Sequence, residues 1–303
     1  MTEAPVIEPA VARQPVVGGV TGLSRVLRRG RVRPRGRTMV YLSMGWVAVL
    51  LIVALTVQWL PVHDYTTAVG PPNLGLSWSK EFLGTDAIGR STLSRILWGA
   101  RVSIGISFLA TVIAMIVGGL LGLLTAYFGR WLTPVVDVVT NSVLAVPSLL
   151  LLLSIVLALT PTIPTLVGAL SLIFVPAFMR LTRANAQSQI NREFVTAARA
   201  LGAPSSRVIF REVLPNTLPS LVSYAALVLP SIVVTEGALS YLGFGVQAPV
   251  PSWGGMIAQA QQNLSFAAAP ALVPCVVLFL TVFALNTLGD HLRVRLDVRD
   301  AQL

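Results

Sequence analysis

The stretch NREFVTAARALGAPSSRVIF, residues 191–210, decides how this chain is to be read. It carries charge and a glycine-alanine-proline turn, while the sequence on both sides of it is almost continuously apolar. Asn191 suits an N-cap, and Glu193 suits a first helical turn, where its charge meets the positive end of the helix dipole. Phe194, Ala197, Ala198 and Leu201 then recur at i, i+3, i+4 and i+7, which predicts one apolar helical face. Arg192, Thr196 and Arg199 lie off that face. Gly202-Ala203-Pro204 predicts the stop, because glycine favours the position after a helix and proline soon afterwards blocks continuation. Ser205 can cap a second helix, which Pro215 is expected to limit. The stripe is narrow and alanine-rich, and it leaves two readings open. Small residues permit the close backbone approach of a helix slotting into a partner's groove. The same pattern fits a helix lying on the lipid interface.

Outward from this stretch the chain is membrane-like. Of its 303 residues 54% are hydrophobic and 11% charged, against roughly a quarter charged in soluble domains. Met39 to Val62, Val102 to Gly129, Val138 to Met179, Val213 to Thr235 and Gly237 to Gly289 contain no Asp, Glu, Lys or Arg. A spanning helix needs about 20 predominantly apolar residues. The third run is broken by Thr160-Pro161-Thr162-Ile163-Pro164, a turn signal. The middle of the last run, GFGVQAPVPSWGGMIAQAQQN, is rich in Gly, Pro and Gln and reads as a loop. The expectation is an all-α membrane protein with six transmembrane helices, near residues 39–61, 102–127, 135–159, 163–180, 218–239 and 267–288. The first run is too long for a signal peptide's apolar region and reads as a retained anchor.

Six spans place both termini on one side, and positive charge selects the side. With a cytoplasmic amino-terminal tail, 18 of the 22 Lys and Arg residues fall inside. Only Lys80, Arg90, Arg95 and Arg101 remain outside, as the positive-inside rule requires. The segment 191–210 is then cytoplasmic, between spans four and five. The arginine-rich tail reads as a topology determinant that touches anionic membrane lipids. Beside six spans it is not read as a nucleic-acid arm.

Several chemistries are excluded. The lone cysteine, Cys275, permits no intrachain disulfide, and the two histidines, His63 and His291, lie outside the spans, so no metal site is expected. A membrane-embedded serine hydrolase would need a base within the bilayer, and neither histidine supplies it. An ion-driven transporter would show inverted repeats and clustered ionisable groups, yet no repeat is visible and the carboxylates are isolated. The only lysine is Lys80, so the chain has no Walker A phosphate loop. The polar groups in or near the spans are Asp137, Asn141 and Glu236. Intramembrane carboxylates are costly and often functional. Asp137 can snorkel or pair with Arg130. Asn141 and Glu236 are candidates for a translocation path, with an internal hydrogen bond the preferred role for Glu236. Gly118, Gly119 and Gly122 form a close-packing face, expected to pack spans within the chain. Asp86 and Arg90, at i and i+4, can pair with each other or contact an external protein.

Four groups of residues carry a family resemblance. Thr196-Ala197-Ala198, Gly202 and Leu214-Pro215 fall at the offsets of the EAA signature of bacterial ABC importer permeases, with Thr196 at the glutamate position and Glu212 at the isoleucine position. LGTDAIGRSTLSRILWGARVS (83–103), with Gly84, Thr85, Asp86, Gly89 and Arg90, resembles the segment before span two in the C-type permease of dipeptide, oligopeptide and nickel importers. PSWGGMI (251–257), with Ser252, Trp253 and Gly254, resembles that branch's last external loop, and NTLGDHLRVRLDVRD (286–300) its carboxyl end.

The resemblance implies a type I ABC importer permease fold and a non-catalytic subunit of an importer in the bacterial inner membrane, for short peptides or, as the alternative, for nickel or another small solute. It implies that 191–215 is a coupling helix docking in a cytoplasmic ATPase through Glu193, Phe194, Thr196, Ala197, Ala198, Arg199, Leu201, Gly202, Leu214 and Pro215. The expected partners are a second permease of related fold, one or two ATPase subunits and an extracytoplasmic substrate-binding protein. ATP and Mg are expected on the ATPase, and no cofactor on this chain. The expected divisions are a basic tail (1–38), the first helix and external loop (39–101), a five-helix core (102–289) containing the EAA loop (181–217), and a cytoplasmic carboxyl-terminal tail (290–303).

Overall fold

The computed structural model describes residues 36–76 and 81–300. Nearly all of the tail expected over 1–38, Lys80 and the last three residues of the tail expected over 290–303 lie outside the described residues. The elements are α1 (Arg37–Thr56) with a 3-10 turn (Val57–Trp59), α2 (Thr92–Tyr127), α3 (Gly129–Ala145), α4 (Ser148–Ala158), α5 (Ile163–Ile190), α6 (Glu193–Ala200) and α7 (Ser205–Arg207). A π turn (Val208–Val213) leads into α8 (Leu214–Tyr241), followed by α9 (Trp253–Gln261) and α10 (Ala269–Asp300). No strand occurs among the described residues; the only β-type pairings are two isolated bridges, Ala68 with Arg90 and Thr85 with Ser91.

Among the described residues, five stretches are long and apolar enough to cross a bilayer: Arg37–Trp59, α2, α5, the continuous Ser205–Tyr241 and α10. The sixth candidate differs from expectation. Instead of one span over 135–159, α3 and α4 are bent by 94° at their junction. Pro147 is the cause: its ring forces Val146 into extended backbone, at φ −92 and ψ 133, and ends α3. Three other boundaries also move. α2 begins at Thr92 rather than near Val102, because Gly89 turns the chain at φ 83 and the Ser91 hydroxyl caps the Ser94 N–H at 3.5 Å. Its 36 residues extend over roughly 54 Å at 1.5 Å per residue, more than the ~30 Å of hydrocarbon. α5 runs on to Ile190 rather than ending near 180. α10 continues to Asp300, so most of the expected carboxyl-terminal tail is helix.

Pro215 does not stop the helix that contains it. A proline ring clashes with the carbonyl four residues back and has no N–H to donate. The chain widens into the π turn before it, where the Leu214 N–H reaches the Ile209 carbonyl, and the helix continues.

The core lies where α2, α5 and α8 meet, around Ile106, Ala110, Leu166, Leu170, Phe178, Leu221 and Ile232. Glycines let α2 approach. A Cβ on Gly118 would stand 2.6 Å from the Val175 carbonyl oxygen on α5, and one on Gly122 would stand 2.6 Å from the Met179 oxygen. Gly119 faces Leu221 on α8. All three therefore pack spans of the same chain. Gly122→Val is expected to push α2 off α5 and to destabilise the chain by about 1–3 kcal/mol. A detergent-unfolding midpoint equal to that of the unaltered chain would refute it.

Candidate functional site

The segment between α5 and α8 is built from its anchors outward. Asn191 is the C-cap of α5, its side-chain amide donating to the Gln187 carbonyl at 3.3 Å. It is not the N-cap of the next helix, because α5 runs further than charge patterning indicates. Arg192 takes the N-cap place in extended backbone, without a side-chain cap. After α6, the Gly202 N–H donates to the Arg199 carbonyl at 2.9 Å and the Ala203 N–H to the Ala198 carbonyl at 3.1 Å. This is the paired closure of a Schellman end, and it requires the left-handed φ of 80 that Gly202 adopts. Ser205 does not cap its helix; its hydroxyl accepts from the Tyr127 hydroxyl at 3.1 Å.

One side chain anchors α6. Val195 is fully buried among Leu123, Ala186, Val208, Ile209 and Val213. Ala198 on the same side is half-buried. Phe194, Ala197 and Leu201 are exposed, Leu201 at 89%. The apolar stripe is thus divided, with one edge gripping the chain and the other left free. Glu193, Thr196, Gly202 and Pro215 are exposed as well, and Leu214 is half-buried. Arg199 is exposed and its guanidinium lies over the Tyr127 ring at 5.2 Å. Phe210 adds a second exposed aromatic ring in the π turn.

Two cross-ties join α3 and α5. The Arg183 guanidinium pairs with Asp137 at 2.7 Å, and that of Arg180 donates to the Asn141 side-chain oxygen at 2.8 Å. Arg183, rather than Arg130, is therefore the partner of Asp137, because α5 extends far enough to carry it alongside α3. Arg130 stacks on Trp131.

On the opposite face, two motifs distant in sequence meet. Gly84 and Gly89 hold positive φ, at 75 and 83, where a Cβ would collide with the Leu74 and Gly70 carbonyls. Thr85 is buried and ties this turn to residues 71–74. The Asp86 carboxylate is saturated. Its Oδ1 accepts from the Ile88 N–H at 3.0 Å and the Arg90 N–H at 2.9 Å. Its Oδ2 accepts from Arg90 Nε at 2.6 Å and from the Arg95 guanidinium. Burial alone raises the Asp86 carboxyl, but the hydrogen bonds from Arg90 and Ile88 and the charge of Arg95 more than offset it, leaving the group below its ordinary value. A depressed folded-state value contributes stability above the unfolded value, and that stability is lost as pH falls through the folded one. The protection factors of residues 84–92, exchange rates divided into the intrinsic rate at each pH, are expected to hold down to the unperturbed aspartate value of about 3.9, and to fall only below it.

The second motif begins at Ser252, whose hydroxyl caps the Gly255 N–H at 3.2 Å and starts α9. Trp253 is fully buried against α2: its ring N–H donates to the Ile96 carbonyl at 3.1 Å and its backbone N–H to the Ser103 hydroxyl at 3.2 Å. Gly254 lies on α8 so closely that a Cβ would stand 2.1 Å from the Gly237 oxygen. Glu236, one residue earlier on α8, is 1% exposed and accepts from the Ser240 hydroxyl at 2.7 Å, with Ser103 alongside. Its second oxygen has no partner of hydrogen-bond geometry. Residue patterns alone do not reveal Arg95, Gln259, Ser103 or Ser240 as members of these clusters. The available signal was the second arginine in GRSTLSR, five residues after Arg90, which joins Asp86 once α2 starts at Thr92.

Residues 118–299 match the family of binding-protein-dependent transport system inner membrane components. The di/tripeptide transport system permease protein DppC of Pseudomonas aeruginosa is 38% identical over 261 residues, which cover 84% of this chain and 86% of that protein. The dipeptide transport system permease protein DppC of Alkalihalophilus pseudofirmus is 34% identical, covering 82% and 81%. The glutathione transport system permease protein GsiD of Pectobacterium atrosepticum is 32% identical, covering 83% and 84%. Among solved structures, an inward-facing MetNI methionine ABC transporter aligns with a TM-score of 0.55 at 19% identity, over 67% of this chain and 97% of that one. That likeness speaks for the fold alone.

Proposed function

This chain belongs to the binding-protein-dependent transport system inner membrane components, and on that premise we propose that it is the transmembrane subunit of an ATP-driven importer of short peptides. The observation that carries the reading is α6, a short helix held by Val195 on one side and offering Phe194, Ala197 and Leu201 on the other. It is the coupling helix, and it docks in a cleft of a separate ATPase that binds ATP and Mg. The Schellman end at Gly202 and the unbroken passage from α7 through the π turn into α8 make it a lever: motion of the ATPase is passed to α5 and α8. The chain supplies half of the translocation path, and a second permease of related fold supplies the rest. An extracytoplasmic binding protein delivers the peptide to the face bearing Asp86 and Trp253. Both termini are cytoplasmic, in the inner membrane of a bacterium. The peptide substrate is supported by relatives whose names carry di/tripeptide, dipeptide or glutathione transport. The test is uptake of a labelled dipeptide into proteoliposomes holding this chain, its co-produced permease and ATPase, and the binding protein. Uptake should require internal ATP and survive collapse of ion gradients; uptake driven by an ion gradient without ATP would overturn the reading.

A further inference from the structure

Between the turn at Asp86, α9 and the start of α10 lies a cavity of about 390 Å³, within the lower range of small-ligand pockets. Its polar wall includes Asp86, Arg90, Arg95 and Gln259, with the neutral Asn73, Gln262 and Asn263 also lining it, and its apolar wall includes Ile88 and Pro270. The two guanidiniums share their acceptors: both donate to Asp86 Oδ2, and both reach Gln259 Oε1, Arg90 at 3.3 Å and Arg95 at 3.0 Å. One carboxylate thus serves two cations, of which Arg95 is 2% exposed and Arg90 9%. The other nearby carboxylate, Glu81, is taken by the Ser91 hydroxyl at 2.8 Å and faces His63 at 3.7 Å. It does not line the cavity. The wall therefore carries one excess positive charge, and the first residue of α2, Thr92, adds the positive end of a 36-residue helix.

The donors outnumber the acceptors. A guanidinium has five N–H groups in a planar fork suited to an oxyanion. Asp86 is already filled by two backbone N–H groups and two guanidiniums, so it has nothing left to hold an incoming ammonium. Gln259 is exposed, neutral and on α9, and its side-chain oxygen occupies the place where a charged acceptor would bind both arginines. We propose that this cavity is a binding site for the carboxylate group of a small solute, which displaces the Gln259 oxygen and bridges Arg90 and Arg95 while the apolar wall takes the rest of the molecule. The site rests on this charge arrangement. Only the naming of its carrier, the carboxyl end of a short peptide, rests on the importer reading above.

The experiment is calorimetric titration of the full chain in lipid nanodiscs with Ala-Ala, Ala-Ala amide and acetate. Ala-Ala is expected to bind at least about tenfold tighter than its amide, since a hydrogen-bonded charge is lost. Ile88→Trp, which fills the mouth without touching the ion pairs, is expected to abolish binding. Arg90→Gln is expected to weaken it about tenfold or more. Acetate as tight as Ala-Ala assigns the site to free carboxylates; acetate about tenfold weaker assigns it to peptides; either supports a carboxylate site. Equal binding of acid and amide, no binding of Ala-Ala, or binding unchanged by Ile88→Trp overturns it. ATP-driven uptake by the assembled transporter is measured in parallel. Uptake without carboxylate binding removes the site and leaves the importer reading standing, whereas carboxylate binding without uptake does the reverse.

Discussion

Trp253→Ala is expected to lower the stability of the chain by about 3–5 kcal/mol, the cost of emptying a buried aromatic site. Trp253 is the largest fully buried side chain among the described residues, and it opens α9, a nine-residue helix whose Gly254, Met256 and Ala260 are buried with it. Its ring rests on Gly99, where a Cβ would stand 3.1 Å from the indole, and packs with Leu50 and Ala100. Its two N–H groups spend themselves on the Ile96 carbonyl and the Ser103 hydroxyl. Alanine keeps the backbone donor but loses the indole bond and nearly all of the dispersion contact. Lipid cannot refill the gap, because the site is walled by α1, α2 and α10. Trp253→Phe separates the contributions: it restores most of the packing and forfeits a hydrogen bond of about 1 kcal/mol. Unfolding of the purified chain by denaturing detergent, followed by circular dichroism, measures both. If alanine and phenylalanine gave the same midpoint, the packing account would be wrong.

Leu201→Glu is expected to leave the fold within about 0.5 kcal/mol of the unaltered chain, as for most surface changes, and to reduce ATP-driven uptake tenfold or more. Leu201 is 89% exposed, so the chain has nothing to lose by its replacement. A docked leucine contributes about 1.5–3 kcal/mol through burial, and each 1.4 kcal/mol is tenfold in affinity. A carboxylate in the same pocket also brings its own desolvation cost. The readouts are co-purification of the ATPase with the variant and uptake by the reconstituted complex. Full uptake with Leu201→Glu would return α6 to the other reading of its pattern, a helix resting on the lipid surface. Val195→Ala differs in kind: it should weaken the hold of α6 on the chain rather than its contact with a partner.

Much of the bundle was legible because bilayers punish charge. Runs without Asp, Glu, Lys or Arg located the cores of the five long apolar helices among the described residues, but not the break between α3 and α4. Boundaries failed where one residue outweighed composition. Pro147 sits in an apolar run that reads as continuous, yet its effect on Val146 turns the path by 94°. Pro215 reads as a stop, but a turn of larger circumference absorbs it, and nothing in the residue types announces that choice. The amphipathic spacing of Phe194, Ala197, Ala198 and Leu201 predicted a helix correctly. It did not predict that Val195, between two exposed neighbours, would be the anchor, because that depends on where α5 and the π turn bring Ala186 and Ile209. In the turn before α2 the i, i+4 spacing pointed to the pairing of Asp86 with Arg90. The third member, Arg95, became visible only with the true start of α2. Gln259 and Trp253 are tertiary partners from far along the chain and leave no local signal.

The π turn over Val208–Val213 also sets an angular phase. An α-helix advances each residue by about 100°, and a π turn amounts to one extra residue wound into it. Everything before Val208 is therefore rotated by about a quarter turn, relative to α8, from where a regular helix would put it. The azimuth of α6, and so the direction in which Leu201 faces, is written into a single surplus residue. Length in this segment is consequently more tightly constrained than identity: exchanging one aliphatic side chain for another preserves the bearing, whereas deleting one residue swings the whole lever out of alignment.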